Sequence, residues 1–370
     1  MAEKIRRFFL KQEALISTLL AVIIAFLMVG ILLFATGRNP GEAIYYFLRG
    51  SFGNAFNIAD TLSRATPLMI AGVAFLVGSK CGVFNVGIEG QLLLGALASA
   101  IVGYIIKLPK AIHLPLTLLA GCLAGGLYAL FPAWLKTYRK VNEILSTIML
   151  NYPAFFFTHF ITVKVIPLEG IVPATPLIEE TARLRNLMEG TKMNSGFFVA
   201  ILVCILAYLL LQKTSMGYEM RAVGLNKEAA RYHGIPVEKR MVFSFFLSGA
   251  LAGLAGAVEM AGVHYRFFDQ FSPGYGYDSI TVAMVGLMNP FGVIISAILF
   301  GALKTGILDM AIYTGIPRQL MTLINGIVVL FISAKSMFHS SIVRIAEGKS
   351  TAPSEREDKH PLYLPEEVQK

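Results

Sequence analysis

Residues 61–107 read TLSRATPLMIAGVAFLVGSKCGVFNVGIEGQLLLGALASAIVGYIIK. Two apolar runs, about 61–78 and 88–106, flank a polar centre. That centre is Cys81-Gly82-Val83-Phe84-Asn85-Val86-Gly87-Ile88-Glu89-Gly90-Gln91. An apolar helix of roughly 20 residues crosses the hydrocarbon core of a bilayer, so each run is a candidate span. Glycines permit unwound or sharply turned backbone, and a helix N-terminus following the break attracts polar and anionic groups. Unwound backbone survives at membrane depth only inside protein or beside a water-filled cavity. One reading is therefore a broken helix lining a solute path, with Asn85 and Glu89 facing it. An ordinary cytoplasmic turn with Glu89 in the first helical turn accounts for the same residues equally well.

The pattern extends along the chain. Further candidate spans are about 14–35, 112–133, 144–163, 197–212, 241–263 and 318–334. Residues 278–310 are too long for one ordinary span and are interrupted by Asn289-Pro290. They read as two pieces, about 278–288 and 291–309, the first a candidate re-entrant segment. The predicted fold is an all-α membrane protein, a polytopic bundle of about 8–10 helices with broken or re-entrant segments. Composition agrees: 55% of the 370 residues are hydrophobic and 15% charged, too apolar for a soluble domain of that size.

The net charge of +9 resides in short segments beside apolar runs, which points to membrane orientation rather than to nucleic acid. Lys136, Arg139 and Lys140 follow the fourth span, and Lys213 to Arg240 holds six basic residues. Lys335, Arg344, Lys349, Arg356 and Lys359 mark the tail. All three are expected in the cytoplasm, with a cytoplasmic N-terminus at 1–13, a permease domain over 14–335 and a cytoplasmic tail at 336–370. The tail comes out inside only if 278–309 enters the membrane and returns. Lys4, Arg6, Arg7 and Lys11 before the run to Ala35 resemble a signal peptide, but the run exceeds a signal h-region of about 7–15 residues, so a retained helix is expected. The outward 164–195 connection, with Pro167, Pro173, Pro176 and mixed charges that include Glu169, is expected to form an ordered cap or docking surface rather than a span. A short interfacial helix is expected within 37–60.

Four further signals stand out. Asn142 and Glu143 open a helix in which Asn142 serves as N-cap, while Asn151 lies deeper, needs a partner and is the better path candidate. Glu259 is an intramembrane acid whose neighbours His264 and Arg266 are candidate partners. Gly121 and Gly125, Gly249 and Gly253, and Ala252 and Gly256 have helix-packing spacing. In the 213–240 connection, Asn226 caps a helix of about two turns that Gly234 and Pro236 stop. Small Ala222, Ala229 and Ala230 there would let a partner pack closely, which favours a docking element over a plain loop.

The chain has no phosphate-binding loop of the G-x-x-x-x-G-K-[ST] type, no zinc-binding His-Glu-x-x-His and no visible nucleophile–base set. Cys81, Cys122 and Cys204 lack metal-ligand spacing and read as small buried residues. No catalytic residue and no metal site is expected.

Gly82–Gly95, Val141–Tyr152 and Arg-Ala-Val-Gly-x-Asn-x-x-Ala-Ala-x-x-x-Gly-Ile at 221–235 together resemble a known family. It comprises the permease subunits of bacterial ATP-binding-cassette importers of the branched-chain amino acid, ribose and simple-sugar type, and the likeness is closest to nucleoside permeases. The resemblance runs from roughly residue 60 to 335 and leaves the first 60 residues and 164–195 unmatched. It implies a second permease, identical or different, two ATPase subunits that bind and hydrolyse ATP, and an extracellular or periplasmic solute-binding protein. It also implies that 221–235, with Arg221, Ala222, Gly224, Asn226, Ala229, Ala230 and Gly234, forms the coupling loop on the ATPase. The expected function is a non-enzymatic permease in a bacterial cell membrane, with a path for a small polar solute, foremost nucleosides, past Asn85, Glu89, Asn151 and Glu259. A ribose-type sugar permease and an ion-coupled transporter cycling Glu89 or Glu259 are the alternatives.

Overall fold

A computed structural model describes residues 24, 27–35, 37–166, 173–316, 320, 323, 324, 326, 327 and 330. Seven helices among these are long and apolar enough to cross a membrane, and the chain is a multi-pass α-helical membrane protein. The described helices are α1 (Pro40–Phe52), α2 (Ala55–Lys80), α3 (Ile88–Ile105), α4 (Lys110–Arg139), α5 (Glu143–Phe160), α6 (Gly196–Lys213), α7 (Ser215–Leu225), α8 (Lys227–Tyr232), α9 (Val237–Glu259), α10 (Tyr275–Val285) and α11 (Pro290–Thr314). The predicted first span is helical at 24 and 27–35; its other residues up to 26, the 1–13 segment, most of 318–334, the 336–370 tail, Pro167 and Glu169 lie outside the described residues.

The spans overrun their apolar cores. The run at 61–78 becomes the 26-residue α2, and 112–133 becomes the 30-residue α4. Charged ends such as Lys80, Lys110 and Arg139 remain helical where apolarity stops. Asn142 caps α5 by accepting the Ile144 and Leu145 N–H groups at 2.9 and 3.3 Å, the expected role. A π-helical turn, Ile161–Val165, closes α5, and another, Met260–His264, closes α9.

Helix α2 runs through the centre with its apolar window mostly buried, whereas α4, α5 and α6 present large apolar side chains outward. Helices α3, α4 and α9 meet along glycines. A methyl group on Gly253 of α9 would strike the Gly121 carbonyl of α4, so backbones touch where the sequence places its small residues.

The two pieces expected around Asn289-Pro290 are present. Helix α10 has 11 residues, about 16 Å or half the hydrocarbon core. It turns back at Leu287 and Met288, both left-handed with φ of 56° and 52°. Asn289 then caps α11, with Pro290 in its first turn.

The helix expected within 37–60 is α1, but it is more than an interfacial helix. Ser51 donates to the Ala302 carbonyl at 2.7 Å and Gly306 packs against Phe47, so α1 lies against α11. The described part of the 164–195 connection, 173–195, is ordered by backbone bonds: Thr175, Ile178 and Leu184 donate to the carbonyls of Phe267, Tyr265 and Ala261 at 2.8, 2.8 and 2.9 Å.

Candidate functional site

The break between α2 and α3 turns at Gly82, in the left-handed region at φ +72°. Val83–Val86 is then non-helical and largely buried inside the bundle. Buried backbone needs partners, and α5 supplies them from side chains. Thr147 accepts the Val86 N–H at 3.2 Å, and Asn151 Nδ2 donates to the Val86 carbonyl at 3.1 Å. Asn151 Oδ1 also accepts the Gly90 N–H at 2.9 Å. Asn151 therefore locks both the break and the first turn of α3 onto α5.

Asn85 does a different job. It is fully buried, its Nδ2 donates to Gln91 Oε1 at 2.8 Å and Ser248 Oγ at 3.0 Å, and its Oδ1 accepts the Gly87 N–H at 3.0 Å. With these bonds made, Asn85 shapes the turn and ties it to α9, and it lies apart from the cavity that Glu89 and Asn151 share.

That cavity, about 490 Å³, lies among α3, α5 and the segment entering α10. Glu89, Asn151, Gln270 and Ser272 give it polar groups; Tyr152, Phe155, Phe156 and Tyr277 give it aromatic surface. Glu89 Oε2 accepts the Gly276 N–H at 2.6 Å, so the carboxylate sits at the positive end of α10. Tyr277 Oη accepts from Asn151 Nδ2 at 3.2 Å. The arrangement offers donors, a carboxyl acceptor and ring faces to one bound molecule, without a nucleophile–base pair.

Glu259 is elsewhere. It is 3.3 Å from His264 Nε2, one of its two expected partners, and lines a second cavity of about 350 Å³ with Asp60, Arg64 and Tyr275. The geometry thus brings Glu89 and Asn151 together and separates both from Asn85 and Glu259.

Several residues of this region escaped the sequence reading. Lys304 in α11 lies 2.6 Å from Asp278 in α10, both largely buried, and its ammonium is 5.5 Å from the Tyr275 ring centroid. The pair fastens the half-helix to a full span. A lysine within an apolar run was the available signal. Tyr277, Gln270 and Ser272 carried none, because their role depends on a fold-back of the chain.

The 213–240 connection forms a hairpin of short helices. Thr214 caps α7 through the Gly217 N–H and Asn226 caps α8 through the Ala229 N–H, both at 3.0 Å. Gly234, at φ +78°, ends it. Arg240 and Glu219 bridge at 2.5 Å, and Arg221 reaches Gln212 Oε1 at 3.1 Å. Arg231 bonds Glu238 at 2.6 Å, and that bond, with the two carboxylates Glu238 and Glu228, pushes its guanidinium pKa further up. Ala230, at 3% exposure, packs largely inside this chain and lines the floor of a groove between α7 and α8. Ala229 is exposed, and Leu225 and Tyr232 are 89% and 91% exposed. Ala222, Leu225, Ala229 and Ala230 line that groove, of about 510 Å³, between Tyr218 and His233, and Tyr232 lies outside it.

Comparison with known proteins bears on both regions. The model of the branched-chain amino acid transport system / permease component family matches residues 57–333. The guanosine ABC transporter permease protein NupP of Bacillus subtilis is 34% identical over 341 residues, 90% of this chain and 96% of that protein. The glucose ABC transporter permease protein TsgB13 of Haloferax volcanii is 33% identical, over 88% of this chain and 89% of its own. The nucleoside ABC transporter permease protein NupB of Lactococcus lactis is 30% identical, over 93% and 97%.

Proposed function

The chain belongs to the branched-chain amino acid transport system / permease component family, and from that premise we propose that it carries nucleosides across the membrane through the cavity around Glu89 and Asn151. One observation carries the choice of solute: hydroxyl-binding groups and ring faces line the same cavity. Glu89, Asn151 and Gln270 suit the sugar hydroxyls; Tyr152, Phe155, Phe156 and Tyr277 suit a flat base. Its volume of about 490 Å³ is within the usual range for a small-molecule site. The named solutes of NupP and NupB point the same way. The name of TsgB13 favours a second reading, a simple sugar; four aromatic rings are more than a hexose requires.

In this reading the permease pairs with a second permease, identical or different, and receives solute from a binding protein at the 173–195 side. The bundle is the permease domain, and α7 and α8 dock on an ATPase that binds and hydrolyses the ATP, so this chain needs no cofactor of its own. Leu225, Ala229 and Tyr232 are the groups free to make that contact. The hairpin, both termini and the tail then lie in the cytoplasm, as the basic flanks favour. Uptake of labelled guanosine and glucose by the reconstituted complex tests the reading. ATP-dependent guanosine uptake is expected; uptake of glucose alone selects the sugar reading, and accumulation by this chain without an ATPase removes both.

A further inference from the structure

Gln270–Tyr275 is a single length of chain that faces two cavities in turn. Gln270, Ser272 and Gly274 line the membrane cavity, whereas Phe271, Pro273 and Tyr275 line the second one. The faces alternate although the segment turns: Gln270 is left-handed at φ 59° and Tyr275 already opens α10. Gly274, left-handed at φ +86°, then hands the chain to α10. The partition between the cavities is therefore one backbone thick, and the Glu89 carboxylate holds its end at Gly276.

The second cavity lies far from the α7–α8 hairpin. Asp60 and Arg64 sit in its wall, while Lys80 lies against Gly224 of the hairpin, about 24–30 Å further along α2. Its carboxylates, Asp60 and Glu259, are balanced by the cations Arg64 and Lys192. Glu259 is joined to His264, but Arg64 makes no ion pair or side-chain hydrogen bond among the described residues. A cavity without a dominant charge does not favour an ion. Donors and acceptors beside the ring faces of Phe271 and Tyr275 suit an uncharged, hydroxyl-rich solute with a flat part.

We propose that this cavity is a second solute site, for a neutral molecule of the nucleoside class, in series with the membrane cavity and divided from it by Gln270–Tyr275. The inference rests on the nucleoside-permease reading.

Val263 lines the outer cavity and Leu93 the membrane cavity. In the assembled complex with Cys81, Cys122 and Cys204 replaced by alanine, Val263→Cys and Leu93→Cys report on the two sites through labelling by a membrane-impermeant maleimide. Guanosine at about ten times its half-saturating concentration is expected to slow labelling of Val263→Cys about tenfold. Arg64→Gln is expected to abolish that protection and leave protection of Leu93→Cys in place. Intact guanosine uptake with no protection of Val263→Cys, or protection that survives Arg64→Gln, overturns the outer site and leaves the transport reading standing. Absence of guanosine uptake by the complex with the unaltered chain overturns the transport reading itself, and the outer site with it.

Discussion

Gly224, at the end of α7, rests on Gly82, in the break that leads to Glu89. A methyl group on Gly82 would lie 3.3 Å from the Gly224 Cα, and one on Gly224 would lie 3.1 Å from the Gly82 nitrogen and strike the Lys80 carbonyl. The hairpin and the break therefore touch backbone to backbone, and a displacement of α7 reaches the segment that Asn151 ties to the cavity.

Gly224→Val is expected to separate the two. Side-chain insertion at a closed contact costs about 1–3 kcal/mol, which the hairpin can relieve by lifting away. The complex should assemble, and guanosine-stimulated ATP hydrolysis should fall at least about tenfold, a change worth about 1.4 kcal/mol. Undiminished stimulation would show that force does not pass through this contact.

Asn151→Leu removes three hydrogen bonds and leaves the Gly90 N–H and the Val86 carbonyl without the partner they have now. Each buried group left unpaired costs about 1–3 kcal/mol. Uptake should drop more than the yield of assembled complex. Normal uptake kinetics would take Asn151 out of the site.

Ala229 and Ala230, adjacent in sequence, should respond oppositely to tryptophan. Ala229→Trp adds bulk at an exposed position, leaving the hairpin folded and weakening recovery of the ATPase on co-purification. Ala230→Trp forces bulk into a position 3% exposed and should open the hairpin to proteolysis. Loss of the ATPase with an intact hairpin in the second variant would contradict the packing described above.

Lys304→Met strands Asp278, and breaking a buried pair from one side costs about 3–5 kcal/mol. The thermal transition of the purified complex should fall. Replacing both, Asp278→Leu with Lys304→Met, should restore much of it, since apolar substitutes for a buried pair are often neutral. A double variant no better than the single one would mean that the pair does more than fasten α10 to α11.

The helices were legible because lipid demands long apolar runs, and the turn at Asn289-Pro290 because proline and a capping amide interrupt one. Glu89 and Asn151 could be read as polar groups without water around them. Whether they face the same space could not, since that depends on how α5 crosses α3. Asn85 shows the limit well: an amide that turns backbone and an amide that binds solute have the same letter, and only its bonds to Gln91 and Ser248 separate them. The alternating faces of Gln270–Tyr275 were out of reach for another reason. Its letters do alternate, Gln-Phe-Ser-Pro-Gly-Tyr, but that both faces meet cavities depends on α3 and α5 closing one side and α2 and α9 the other.

The seam where Gly253 meets Gly121 has a mechanical consequence. Two rods joined through their main chains have no long side chains to re-interdigitate, so they lack a neighbouring register into which to ratchet. α4 and α9 must then travel as one stiff plate. Any rocking of the bundle has to be absorbed at its joints, and Lys140, left-handed at φ 56° between α4 and α5, is placed to be such a pivot.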